Sequence, residues 1–167
     1  MKTTTLTQTI LELQESLYTP CNLNISNITE ELESKEYSAC SFIINNKKAQ
    51  FRIAKITPTK IGQFVTFWKR SDAGPIAPFD MNDPVDLFIV TTQTESQQGQ
   101  FVFPKVVLYK HGFISNNNVG GKRAMRVYPS WDKPDNKQAS KTQEWQLKYF
   151  FDFSKQINCS QIQKLFA

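Results

Sequence analysis

The sequence predicts one α/β (α+β) domain spanning residues 1–167, built on a mixed, largely antiparallel central sheet flanked by helices. Three observations predict it. Apolar residues recur at helical spacing at both ends of the chain. Runs of Phe, Ile and Val, separated by turn residues, fill the middle. A chain of 167 residues with 40% apolar content is long enough to bury one core without staples.

Leu6, Ile10, Leu13 and Leu17 form the stripe of an amphipathic helix. Pro20 and nearby Asn residues break it, and the acidic stretch ITEELESKE, residues 28–36, predicts a second short helix. From Ala39 the runs SFIINN, AQFRIAKI and GQFVTFW are separated by Asn45-Asn46-Lys47-Lys48 and by turn residues Thr57 to Gly62, which predicts a three-stranded antiparallel meander. The third run sets Phe64 and Trp68 against Val65 and Phe67, so a central strand covered on both faces is expected there. SDAGPIAPFDMNDP, residues 71–84, reads as a loop. DLFIV and QFVFPKVVLY read as the next strands, with Pro104 marking an edge, a bulge or the end of the second. HGFISNNNVGGKRA is a further loop and AMRVYP a short strand. Asp135 or Asn136 caps a helix starting near Lys137, which Gln143, Trp145 and Gln146 are expected to tie to the sheet. A last helix carries Ile157, Ile162 and Phe166.

The net charge of +5 is unevenly spread. Residues 46–70 hold seven basic side chains and no acid, and residues 101–131 hold five and again no acid, whereas residues 1–40 and 71–98 are acidic. Two acid-free basic segments suit a polyanion such as nucleic acid. Cys21, Cys40 and Cys159 are odd in number, far apart and without CxxC spacing, which predicts reduced thiols rather than a disulfide framework or a zinc site. The N-terminus lacks a cationic stretch leading into an apolar run, and no run is long enough to span a membrane, so a soluble, cytoplasmic protein is expected, with no membrane partner.

Catalytic patterns are sparse. His111 is the one histidine, without a GxSxG or similar nucleophile motif, and reads as a turn residue. GGKRA lacks the spacing of a phosphate-cradling loop. A magnesium nuclease on a mixed sheet needs an (Asp or Glu)-x-Lys triplet on a strand, yet Lys55, Lys69 and Lys105 follow Ile53, Phe67 and Phe103. The literal matches, Glu33-Ser34-Lys35 and Asp135-Asn136-Lys137, fall in an acidic segment and at a helix start.

The segments AKITPTKIGQFVTFWKR (54–70), GQFVFPKVVL (99–108), GGKRAMRVYPSWD (120–132) and ASKTQEWQLKYF (139–150) resemble the MepB family. The resemblance implies a fold akin to the restriction-endonuclease and PD-(D/E)XK nuclease group. It also implies a bacterial protein, in some genomes encoded beside a multidrug efflux transporter. The group's catalytic signature does not carry over to these strands. The leading expectation is therefore non-catalytic, sequence-independent nucleic-acid binding. Phosphates would be met by Lys55, Lys60, Lys69, Arg70, Lys105, Lys122, Arg123 and Arg126, and Tyr128 or Trp131 would stack on an unpaired base. Lys69 and Arg70 are expected near Lys55 and Lys60. No catalytic residue, metal or cofactor is expected on this reading. Two alternatives stand beside it. One is a magnesium-dependent nuclease using Glu33 or Glu36 with Asp80, Asp83 or Asp86, and the other is an accessory protein that binds drug-like molecules through its 21 aromatics.

Overall fold

The structure, a computed structural model, describes residues 5–70 and 74–167. Residues 1–4 of the N-terminal segment and residues 71–73 of the loop read over 71–84 lie outside the described residues.

Thr5 opens α1 (Leu6–Leu13) by accepting a hydrogen bond from the Gln8 amide at 3.1 Å. The apolar stripe continues through a wide turn at Gln14–Tyr18, which buries Ile10 and Leu17 completely. The helix read over 28–36 is corrected. Ile25–Glu30 is strand β1, and only Lys35–Tyr37 makes a single tight helical turn, between Ser34 and Ser38 in the left-handed region. Backbone pairing of β1 with β2 (Cys40–Ile44) overrides the helix preference of the Glu-rich segment. Asn45 and Asn46, both at positive φ, close the two-residue turn from β2 to β3 (Lys47–Ile53).

The expected meander ends there. After β3 the chain makes β4 (Lys55–Ile56), β5 (Gln63–Thr66) and a ribbon of β6 (Trp68–Arg70) with β7 (Ile76–Pro78), none of which joins the main sheet. The strand beside β3 is β8 (Leu87–Gln93), parallel to it and antiparallel to β9 (Gln98–Pro104). The reason lies in burial. Leu87 through Thr92 are buried on both faces, as a central strand must be, while β5 alternates buried and half-buried residues. Pro104 ends β9, and the expected strand continuation is instead helix α2 (Lys105–Lys110). β10 (Ala124–Val127) pairs with β5, and Asn136 caps α3 (Lys137–Gln146) by accepting from the Ala139 amide at 2.8 Å. A strand absent from the sequence reading, β11 (Phe150–Asp152), pairs with β9, and α4 (Cys159–Phe166) closes the chain.

The main sheet runs β1-β2-β3-β8-β9-β11, and a three-stranded sheet runs β10-β5-β4. Alternation divides the core into two. Phe51, Ile89, Val102 and Phe151 face α1 and α4, whereas Phe88, Val90, Phe101 and Phe103 face the small sheet and Trp145 of α3. No helix among the described residues is long and apolar enough to cross a membrane.

Two findings overturn expectations about single residues. Cys21 and Cys159, read as free thiols, form a disulfide across 138 residues of separation, tying α4 to the turn after α1; Cys40 alone stays free, buried in the core. Their distance in sequence hid a pairing that the packing of α4 creates. Arg52, one of the seven basic residues of segment 46–70, is 1% exposed. Its guanidinium donates to Thr66 O at 3.1 Å, Gln50 Oε1 at 3.0 Å and Phe51 O at 2.8 Å, and lies 4.9 Å from the Phe67 ring centroid. Burial lowers its pKa to about 10, opposed by Glu31, which accepts from Gln50 Nε2 at 3.1 Å.

Arg52→Ala leaves the acceptors of Thr66 and Gln50 without their donor, and is expected to lower unfolding stability by about 2–4 kcal/mol; an unchanged urea midpoint would refute the role given to Arg52. Reducing the disulfide is expected to lower stability by about 2–4 kcal/mol. The same loss in a Cys21→Ser, Cys159→Ser variant, which then ignores reductant, identifies the bond as its source.

Candidate nucleic-acid interface

The small sheet sorts its side chains by strand register. Lys55, Phe64 and Arg126 are directly opposed across β4, β5 and β10 and share one face, while Ile56, Gln63 and Val127 form the adjacent row on the other. Phe64 and Arg126 of the first row line a groove of about 820 Å³ between this sheet, the loop Thr57 to Gly62 and α3. Lys60, Lys122 and Arg126 supply its positive charge, against one lining carboxylate, Asp135. Two cations of the lining lie over rings of the lining: the Arg126 guanidinium is 5.8 Å from the Phe64 centroid, and Lys122 is 5.3 Å from Phe113. Lys55, on the same sheet face but outside the lining, is 5.2 Å from Tyr37. On the far wall His111 stacks on Trp145, with centroids 3.8 Å apart and planes 5° from parallel. Burial, helped by Lys110 and Lys148, lowers the His111 pKa, so the stack is uncharged at neutral pH.

The groove is built by backbone capture. Arg126 Nη1 donates to Thr57 Oγ1 at 3.0 Å and to the carbonyls of Ile61 and Gly62 at 3.3 Å, which fixes the loop that presents Lys60. Gly62 is required there: at φ +88° a Cβ would stand 2.8 Å from the Tyr128 ring and 2.9 Å from Val127 O. Gln146, fully buried on α3, donates to Arg126 O at 3.0 Å and accepts from the Tyr128 amide at 2.9 Å. Gln143 donates to Pro129 O and Asp132 O. The two glutamines thus make the expected amide ties, and Trp145 contributes ring contacts instead.

This arrangement has relatives. The profile of the MepB-like family matches residues 31–152, which include the whole groove. The chain belongs to the MepB-like family. A crystal structure of MepB is similar to it at a TM-score of 0.77 and 32% identity, covering 89% of this chain and 99% of that one. No curated protein matches the chain.

In this MepB-like chain the residues singled out in the sequence divide into two groups. Lys60, Lys122, Arg126 and Tyr128 meet at the groove, with Lys55 on the same sheet face and Arg123 exposed beside Lys122. Lys69, Arg70 and Lys105 do not line it. Lys69 Nζ is 2.6 Å from Asp83 Oδ1, and Arg70 Nε is 2.9 Å from Glu33 Oε1. Lys105 donates to the carbonyls of Met81 and Asp83 at 2.9 Å. Lys69 and Arg70, expected near Lys55 and Lys60, do not join Lys60 in the groove lining: β6 pairs with β7, and the two side chains bond Asp83 and Glu33 of the acidic segments. Trp131 is half-buried with its ring edge against Phe150 and borders a second, smaller cavity.

The three aspartates considered as metal ligands, and Glu33, are engaged by the chain itself. Asp80 accepts from Ser115 Oγ at 2.7 Å and from the amides of Asn118 and Asn82. Asp83 holds Lys69 and the Asp80 amide, and Asp86 accepts from the Lys48 amide. Among the described residues, no three His, Cys, Asp or Glu side chains are grouped to hold a metal. Sequence reasoning missed His111, Phe113 and Trp145 as groove walls. It also passed over Gln63, although the shared parity of Gln63 and buried Val65 marks a polar side chain turned inward.

The Ser115 hydroxyl, with the amides of Asn118 and Asn82, holds the Asp80 pKa near 2, below its ordinary 3.8. The unfolded chain therefore binds more protons between these values, so the stabilisation is present above the ordinary pKa and is lost as pH falls through the folded one. Asp80→Asn is expected to flatten the acid limb of the stability–pH curve; parallel curves for both proteins, from urea midpoints, would refute it.

Proposed function

We propose that the protein binds nucleic acid along this groove without cutting it, through phosphate contacts that are largely independent of sequence. The observation that carries this reading is the pairing of cations with rings in one groove, Arg126 with Phe64 and Lys122 with Phe113, where Lys60, Lys122 and Arg126 outnumber the one carboxylate that lines it among the described residues. Cations meet backbone phosphates and rings meet bases, and no sequence-specific edge is required for either. The non-catalytic part is supported by Asp80, Asp83 and Asp86, whose carboxylates accept hydrogen bonds from the chain's own donors. A bacterial setting beside drug-efflux machinery, implied by the family resemblance, belongs to the same proposal. A positively charged lining argues against cationic drugs as the ligand.

Fluorescence anisotropy with labelled DNA and RNA tests the proposal. Affinity is expected to fall steeply between about 50 mM and about 200 mM salt. Lys60→Ala with Lys122→Ala should flatten the log–log salt slope by about two, one for each lost phosphate contact. Lys69→Ala with Arg70→Ala should leave it unchanged, since both charges are already paired. Affinity indifferent to salt removes the electrostatic basis of the reading, and cleavage abolished by EDTA would replace it with the nuclease.

A further inference from the structure

We propose that the smaller cavity beside the groove is a subsite for one unstacked nucleobase of a single strand, an inference that rests on the nucleic-acid reading above. The cavity, about 390 Å³, is reached around the Thr57 to Gly62 loop, and Lys60 and Ile61 line both spaces. Gln63 enters it from the sheet face opposite the Lys55–Phe64–Arg126 row.

Two buried polar atoms belong to residues of its lining and have no hydrogen-bond partner among the described residues: the acceptor Gln63 Oε1 and the donor Trp131 Nε1. Gln63 is 1% exposed, and its amide nitrogen is turned to Gln93 O at 3.4 Å, which leaves the oxygen unpaired. Phe150, 5.9 Å away and nearly perpendicular, braces the Trp131 ring. Trp131 is thereby used as a hydrogen-bond donor more than as the stacking platform expected from the sequence.

Buried polar groups are almost always paired, so an unpaired donor and an unpaired acceptor on residues that line one cavity call for a ligand that offers the converse. A nucleobase edge does so, because each base sets an N–H beside a ring nitrogen or carbonyl oxygen. In a duplex those edges are already paired, which restricts the subsite to single strands, the usual setting in which proteins read unstacked bases. Lys60 and Lys133 in the lining meet the flanking phosphates, and the carboxylate of Asp132 offers a further acceptor to an exocyclic amine.

Three probes test this: a single-stranded oligonucleotide about ten residues long, an abasic strand of the same length, and a free nucleoside. The wild-type protein is expected to bind the base-bearing strand about tenfold more tightly than the abasic one. Gln63→Met and Trp131→Phe should each abolish that ratio while leaving abasic affinity unaltered. Gln63→Met should also stay close to the wild-type melting temperature, because an apolar replacement of similar shape removes an unpartnered oxygen and only one long bond, to the carbonyl of exposed Gln93. Equal affinity for both strands in the wild type, or a ratio that survives both variants, would mean that the cavity holds only water, and overturns the subsite. If neither strand binds, the groove reading has failed by itself. The subsite then stands on saturable nucleoside quenching of tryptophan fluorescence that Trp131→Phe removes, and falls without it.

Discussion

A buried guanidinium joins the two sheets. Arg52 lies on β3 of the main sheet, yet its Nε bonds to Thr66 O at the end of β5, and its charge rests over Phe67 just beyond. Burying a cation is expensive unless its donors are satisfied. Here Gln50 and two carbonyls accept from it, and Gln50 relays to Glu31. With a pKa of about 10 it stays charged at neutral pH. Because the guanidinium is planar and its donors are fixed in direction, it sets where the small sheet stands on the main one. The groove depends on that placement, since its floor is the opposite face of the same strands.

Charge is partitioned by pairing more than by amount. The basic segment 46–70 contributes a buried structural cation, Arg52; two neutralised ones, Lys69 and Arg70; and open ones, Lys55 and Lys60. Exposed ion pairs such as Arg70 with Glu33 add little stability, but they cancel the field that a distant polyanion would sense. Lys55 and Lys60 stand on the small sheet and its loop, together with Lys122, Arg123 and Arg126 at the start of β10. There Arg126 and Gln146 hold the backbone still, so that the cations of the groove are presented by a fixed frame.

Much of the local structure is legible in the residues. The α1 stripe, the Asn45-Asn46 turn, the Asn136 cap and the Ile162 and Phe166 positions of α4 follow from short-range physics and appear in the fold. The site is legible only in part. Lys60, Lys122, Arg126 and Tyr128 can be selected from acid-free segments, but their separation from Lys69, Arg70 and Lys105 cannot, because it depends on which strands pair. His111 is in a turn, as its sequence context suggests, closing α2, but only the fold shows that Trp145 of a helix more than thirty residues later stacks on it.

The sequence by itself determined the class of fold, the family, the caps and turns, and the excess of cations over acids in two segments, since each depends on neighbours within a few positions or on composition. Tertiary structure alone decided that β8 and not β5 lies against β3, that Cys21 meets Cys159, that Arg52 is interior, and that Gln63 and Trp131 line one cavity with a buried polar atom of each left unpaired. The physical reason is common to all four. Strand pairing and burial are settled by competition among segments distant in the chain for the same apolar surface, and no local pattern records which segment wins.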